Sequence, residues 1–191
     1  LIARIGAAAP GVRLRFVAKP DRDSAPLREG SVDLDTGVVG AATSPELHSR
    51  VLFQDRFIGV VRMGHPLSQG EISAARYAAG RHVLVSRRGQ DLGPVAEALT
   101  ALGLQREIVT IVGGLAAALS LARATDLIAT VAERHSGSLS GGLFSFPLPF
   151  STPPITIAML WHPRMNADPA HRWLRDCVRH VCTEQLATAS A

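Results

Sequence analysis

The chain has 191 residues, 47% of them hydrophobic and 19% charged, a balance that supports one domain or two small lobes around a substantial core and excludes disorder. Its formal net charge is only +4, and of its 20 basic residues Lys19 alone is lysine. The arginines are scattered, with small clusters at Arg13/Arg15 and Arg87/Arg88, which is not the concentrated basic face of a nucleic-acid-binding module.

Leu1 to Ala9 reads as the end of a helix, stopped by Pro10-Gly11. Val12 to Val17 alternates apolar and basic residues, the pattern of a strand. A short helix over Ser24 to Glu29 ends at Gly30, and Val32 to Val39 is the next strand. Leu52 to Arg62 reads as one further strand, followed by a turn at Gly64-His65-Pro66-Leu67 and a short helix over Ser73 to Ala79. His82 to Val85 is a buried strand, and Ser86-Arg87-Arg88-Gly89-Gln90 is the loop behind it. Gly93 to Leu102 reads as a helix capped by Gly103, and Ile108 to Val112 as a β-branched strand. Gly113-Gly114 leads into a helix over Leu115 to Ala124, and Leu127 to Val131 is another strand. His135 to Gly142 reads as surface loop, and Leu143 to Pro154, alternating phenylalanine with proline, as a connector. Ile155 to Trp161 is a strong strand. The last helix opens at Asp168-Pro169, with Asp168 as N-cap. Its apolar stripe is Trp173, Leu174, Cys177, Val178 and Val181, with Arg172, Arg175 and Arg179 mostly on the opposite side.

Strands alternating with helices mean an α/β fold with largely parallel sheets, and no internal repeat is visible. Glycine- and proline-marked transitions near Arg62-Gly64 and Ser145-Pro149 enclose a continuous middle segment. That pattern suggests two lobes joined by two crossover strands, with a cleft between them. No apolar run approaches the roughly 20 residues needed to span a bilayer, and no secretory signal is present. The chain opens within a helix and not on methionine, so it reads as a fragment. Cys177 and Cys182 point roughly 140° apart on one helix. They are expected as reduced thiols of a cytoplasmic protein.

A catalytic apparatus is not evident. Gly137-Ser138-Leu139-Ser140-Gly141 puts leucine where a nucleophile elbow needs serine. There is no phosphate loop, and the seven histidines are isolated, without metal-ligand spacing. No cofactor is implied. Asp33 and Asp35 share a face of one strand. An α/β enzyme using them is the least favoured reading, because no second catalytic group accompanies them. More informative is Gly113-Gly114, between a strand and a helix, where free first-turn N–H groups favour an anion and glycines admit a close approach. Ser86 to Gln90 adds a hydroxyl, two guanidinium groups and an amide behind another strand, where open α/β sheets bind ligands. Together they favour a small, carboxylate-bearing ligand; two ordinary connections with surface arginines are the bland alternative.

Several segments resemble the effector-binding domain of LysR-type transcriptional regulators. Leu27 to Leu34 is similar to that family's "L-x-x-G-x-x-D-L" segment, and Val61 to Leu67 to its strand ending in "G-H-P-L". Thr125 to Val131 resembles its "T-D-L-I-A-T" strand. Trp161-His162-Pro163-Arg164 with Asp168 to Arg175 resembles a form common in members that sense aromatic or flavonoid-like compounds. The order and spacing of these segments span nearly the whole chain. Three positions depart from the pattern: Asp35-Thr36-Gly37 replaces small apolar residues, Gly114 stands where related aromatic sensors carry histidine, and Ala132 where a proline starts a helix.

The resemblance implies a periplasmic-binding-protein type 2 architecture of two Rossmann-like lobes. Lobe one is expected over 1–61 plus 146–191 and lobe two over 62–145. It implies no enzyme, but a sensor whose small-molecule effector sits between the lobes and is lined by Thr36, Gly37, Arg87, Gln90, Gly113, Gly114 and Leu115, with Arg87 as the anionic anchor. It further implies a homodimer, a tetrameric parent, no membrane partner, and DNA contact only through an N-terminal winged helix-turn-helix that this sequence lacks, as it lacks the domain's first strand. The rival from another class is an extracytoplasmic solute-binding protein serving transport on the same fold.

Overall fold

The computed structural model describes residues 1–17, 24–39, 43–86 and 93–188. In chain order its elements are α1 (Ile2–Ala8), α2 (Ala25–Glu29), β1 (Asp35–Val38), β2 (His48–Asp55), β3 (Phe57–Arg62), α3 (Ala74–Ala78) and β4 (Arg81–Val85). They continue with α4 (Pro94–Ala101), β5 (Glu107–Val112), α5 (Leu115–Ala124), β6 (Leu127–Ala132), α6 (Glu133–Ser136), β7 (Leu143–Pro147), β8 (Ile155–Trp161) and α7 (Pro169–Thr188). The chain forms two compact units, Leu1–Gln54 with Thr156–Ala191, and Asp55–Ile155. Among the described residues no helix is long and apolar enough to cross a membrane.

The unit Asp55–Ile155 is built on a five-stranded sheet in the order β5-β4-β6-β3-β7. β4 runs parallel to β5 and β6, whereas β3 runs antiparallel to β6 and β7. The sheets are therefore mixed, not largely parallel as the sequence suggests. Both faces are covered, which is why β6 reads as an almost unbroken apolar run. Leu127, Ala129 and Val131 pack with Ala118, Leu119 and Ala122 of α5 on one face. Ile128 joins Tyr77, Ala78, Val95 and Leu99 of α3 and α4 on the other. The alternation of β6 residues between the two clusters follows from the period of two in a strand.

The other unit carries a three-stranded sheet in the order β1-β8-β2, with β1 antiparallel to β8. Met159 and Trp161, two residues apart on β8, share a face and pack against Val178 of α7, with Leu34, Leu52 and Leu174 around them. Asp168 caps α7 as expected, its Oδ1 accepting from His171 N at 2.6 Å. Gly30 ends α2 at φ 80°, a conformation that favours glycine. Cys177 and Cys182 are both unbridged.

Five readings need correction. Val12–Val17 forms no strand; Val12, Phe16 and Val17 are exposed, and an alternating segment becomes a strand only when a neighbour pairs with it. Leu52–Arg62 is two strands, because Arg56 leaves the ladder. β3 lies inside the sheet of the unit Asp55–Ile155. Leu143–Pro147 is not a connector but the edge strand β7, and Phe146 on it is buried. His135 and Ser136 belong to α6. Finally, Arg175 lies buried beside the apolar stripe of α7, not opposite it.

The break at Arg56 has a local cause. The buried Asp55 carboxylate folds back to accept Arg56 N at 2.8 Å, and also accepts Arg134 N at 3.1 Å and His135 N at 3.4 Å. It thus satisfies donors at the start of α6 that no helix can satisfy itself. Arg56 closes the clasp through Glu133, its Nε and Nη2 donating at 2.6 and 2.8 Å. The hydrogen bond from Arg56 holds the Glu133 carboxyl below its usual range; partial burial opposes this, and the guanidinium charge adds to it. A lowered carboxyl contributes stability above its unfolded value and loses it as pH falls through the folded one. Both side chains are substantially exposed, so the pair is worth about 1 kcal/mol or less. Arg56→Ala is expected to cost that much at neutral pH. In urea titrations the difference should close as pH drops below the usual carboxylate range.

Candidate functional site

β4 and β5 are parallel and in register at their ends, Val85 opposite Val112. Ser86 N donates to Val112 O at 3.0 Å and extends the ladder by one step, so Ser86 and Gly113 leave the sheet side by side at its carboxyl edge. Gly113 and Gly114 then turn the chain into α5. Gly114 is the N-cap in extended conformation, with no side-chain cap. The N–H groups of Leu115, Ala116 and Ala117 precede the first helical acceptor, Gly114 O, which Ala118 N reaches at 3.3 Å. Among the described residues, a Cβ built on Gly113 or on Gly114 meets nothing within 4 Å, so none of those residues excludes a side chain there. Leu115, half-buried, packs back onto the core of α5 and anchors the turn. The arrangement offers backbone donors, the positive end of a ten-residue helix and an approach that no described residue obstructs.

Gly113, Gly114 and Leu115 form the turn into α5. Arg87 and Gln90 lie outside the described residues, as do Arg88, Gly89 and Asp91. Thr36 and Gly37 lie on β1 in the other unit, opposite Met159 and Ala158 of β8. Thr36 is exposed, and a Cβ on Gly37 would meet none of the described residues within 4 Å. Asp33 is not on the strand with Asp35; β1 begins at Asp35. Among the described residues no group of three or more His, Cys, Asp or Glu side chains could hold a metal ion.

The motifs singled out in the sequence hold the scaffold around these positions. His65 Nδ1 accepts Leu67 N at 3.0 Å, so Nε2 carries the proton and donates to Asp126 O at 3.2 Å. Arg62 pairs with the Asp126 carboxylate at 2.6 Å. The "G-H-P-L" and "T-D-L" segments are therefore two halves of one joint that sets the start of β6. His162 repeats the first half in the other unit, its Nδ1 accepting Arg164 N at 3.3 Å. Arg164 then donates to Arg28 O and, at 2.7 Å, to Leu27 O, closing the end of α2. A Cβ on Gly30 would sit 2.8 Å from the Arg164 guanidinium, which joins the "L-x-x-G" segment to Trp161-His162-Pro163-Arg164.

Sequence reasoning missed the role of His171 and Arg175. His171, one of the seven isolated histidines, is buried and reaches Asp33 O at 2.8 Å. Arg175 donates to Met165 O and Asn166 O at 3.1 Å each, and its guanidinium lies 4.6 Å from the Trp161 ring centroid. Burial, and then the nearby Arg172 charge, lower its pKa from the ordinary guanidinium value. The usable signal was spacing: His171 and Arg175 stand four apart and so share a helix face.

A family model described as LysR substrate binding domain matches residues 1–183. The HTH-type transcriptional regulator SyrM of Rhizobium meliloti (strain 1021) is 36% identical over 152 residues, covering 78% of this chain and 46% of SyrM. The chain spans about half the length of the curated relatives it matches. Among solved structures, a transcriptional regulator from Vibrio parahaemolyticus superposes with a TM-score of 0.86 at 27% identity, over 100% of this chain and 89% of that one. The regulatory domain of MexT, a transcriptional activator in Pseudomonas aeruginosa, gives 0.80 at 26% identity, over 94% and 89%. These relatives are transcriptional regulators, not transporters.

Proposed function

The chain belongs to the LysR substrate-binding domain family, and from that premise we propose that it senses a small carboxylate-bearing effector and relays its presence to DNA-binding domains of the parent regulator. The observation that carries the ligand class is the uncapped N-terminus of α5, obstructed by no described residue, beside the carboxyl ends of two parallel strands. Gly113, Gly114 and Leu115 supply backbone donors there, and the sequence nominates Arg87 as the anionic anchor and Gln90 as a further contact. Thr36 and Gly37 contribute from β1. An effector that binds one conformation of the domain better than another shifts their populations. The protein works as a binder, not a catalyst, and in the cytoplasm.

The assembly is a homodimer of this domain within a tetrameric parent, and DNA is reached only through a winged helix-turn-helix. Val109 and Ile111, exposed on the edge strand β5, support a self-associating surface, since a row of apolar side chains on an open edge invites a second chain.

Two variants test the site. Gly114→Asp places a carboxylate where the effector's would sit, and no described residue lies within 4 Å of its Cβ. As an N-cap, aspartate is at least as good as glycine, so unfolding should stay within a few tenths of a kcal/mol or improve. Binding of a carboxylate, followed by isothermal titration, should fall by roughly tenfold or more through like-charge repulsion. Arg87→Ala should weaken it comparably by removing the charge-assisted pair. Wild-type affinity in both variants would sink the site.

A further inference from the structure

Asp33 and Leu34 lead the chain into β1, the strand that carries Thr36 and Gly37. On α7, His171 is 4% exposed and bonds Asp33 O through Nε2 at 2.8 Å. Its other nitrogen, Nδ1, faces Arg175 Nη1. A guanidinium can only donate. Nδ1 must therefore accept, Nε2 must carry the proton, and the Nε2–H must point at Asp33 O. Arg175 thus selects the tautomer that can hold the carbonyl.

Arg175 is itself fixed on three sides. Its Nη1 and Nη2 donate to Met165 O and Asn166 O at 3.1 Å, and its guanidinium stacks 4.6 Å from the Trp161 ring centroid. Trp161 Nε1 donates to Asn166 Oδ1 at 3.3 Å, tying the same loop to β8. Among the described residues no carboxylate forms an ion pair with Arg175. Burying a charge without an ionic partner is costly unless its donors are aimed. Here they are aimed at two carbonyls and one imidazole. A solvent-facing arginine would have packed α7 without that cost, so packing alone does not account for this residue.

We propose that His171 and Arg175 are positioning residues for the effector strand, a relay that fixes the entry of β1 and through it Thr36 and Gly37. The proposal rests on the reading that β1 contributes to effector binding. Glutamine at 171 can imitate both roles, with one amide atom accepting from Arg175 and the other donating to Asp33 O. Leucine keeps the volume and removes both. Lysine at 175 keeps the charge but cannot reach two carbonyls and the imidazole together.

The test is hydrogen exchange by mass spectrometry on the 191-residue chain without ligand, which separates this claim from whether any carboxylate binds. His171→Leu should raise exchange over residues 34–38 about tenfold, as loss of one well-made hydrogen bond does. Peptides from β3 and β6 should be unchanged, and His171→Gln should restore most of the protection. Unchanged exchange over 34–38 in His171→Leu, or no rescue by His171→Gln, would overturn the proposal. If His171→Leu also loses protection in β3 and β6, Arg175→Lys decides: faster exchange confined to 34–38 and the Met165–Asn166 loop upholds the relay, and wild-type exchange there overturns it.

Discussion

Gly59→Ala should destabilise the unit Asp55–Ile155 by about 3 kcal/mol, at the upper end of ordinary overpacking. Gly59 lies on β3, paired with Thr130 of β6 on one side and Phe146 of β7 on the other. The Phe146 ring lies over the glycine: an added Cβ would meet Cζ at 2.3 Å, Cε2 at 2.4 Å and Cε1 at 2.9 Å. Those distances are far inside van der Waals contact. The ring cannot swing away, because Phe146 is 3% exposed, stacked with Phe144 and set edge-on to Tyr77. An aromatic side chain covering a strand glycine repairs the packing that glycine lacks. Urea unfolding measures the cost. The double variant Gly59→Ala/Phe146→Leu should be markedly less unstable than the sum of the two single changes, because the clash is shared. Simple additivity, or a loss below about 1 kcal/mol for Gly59→Ala, would mean that the ring is not held there.

Asp55→Ala should cost a similar amount, about 3 kcal/mol, for an electrostatic reason. The buried carboxylate accepts three backbone N–H groups, from Arg56, Arg134 and His135. Removing a charged acceptor leaves part-buried donors without a partner, which costs more than the bonds contributed. Asn keeps an acceptor oxygen and loses the charge, so Asp55→Asn should lie between wild type and Asp55→Ala. Amide exchange at Arg134 and His135 should rise in the order Asp, Asn, Ala. Equal behaviour of Asn and Ala would show that the charge, not the oxygen, carries the clasp.

How much of this was legible in sequence follows from which forces act locally. Helices with caps were readable to the residue: Leu115–Ala124 behind Gly113-Gly114, and Asp168-Pro169 opening α7, depend on neighbours in the chain. The α/β class followed from strand and helix alternation, while strand directions did not, because β3 and β7 turn antiparallel through contacts far away in sequence. Leu143–Pro147 read as a connector for the same reason; its proline and phenylalanines suit an edge strand, where a missing N–H is tolerated. The break at Arg56 was hidden because its cause, a carboxylate capping a helix nearly 80 residues later, leaves no local mark. Val12–Val17 shows the reverse case, a strand pattern with no strand formed. The family motifs were recognisable as strings, but their purpose emerged only as pairs. His65 with Asp126 and Arg164 with Gly30 are joints whose halves lie far apart in the chain. The start of α5 behind Gly113-Gly114 was legible because helix N-termini are local features. The buried His171–Arg175 pair was not, since i,i+4 spacing marks a shared face and not what that face meets.

The most direct test of the sensing claim is a thermal-shift series of this chain against small aromatic and aliphatic carboxylates and their uncharged amides. A ligand that binds only the folded state stabilises it by mass action. A saturable rise in melting temperature with at least one carboxylate, and none with its amide, is the expected result. A folded sample that responds to no carboxylate, or responds equally to acid and amide, would contradict the proposal that an anionic effector is held at the start of α5.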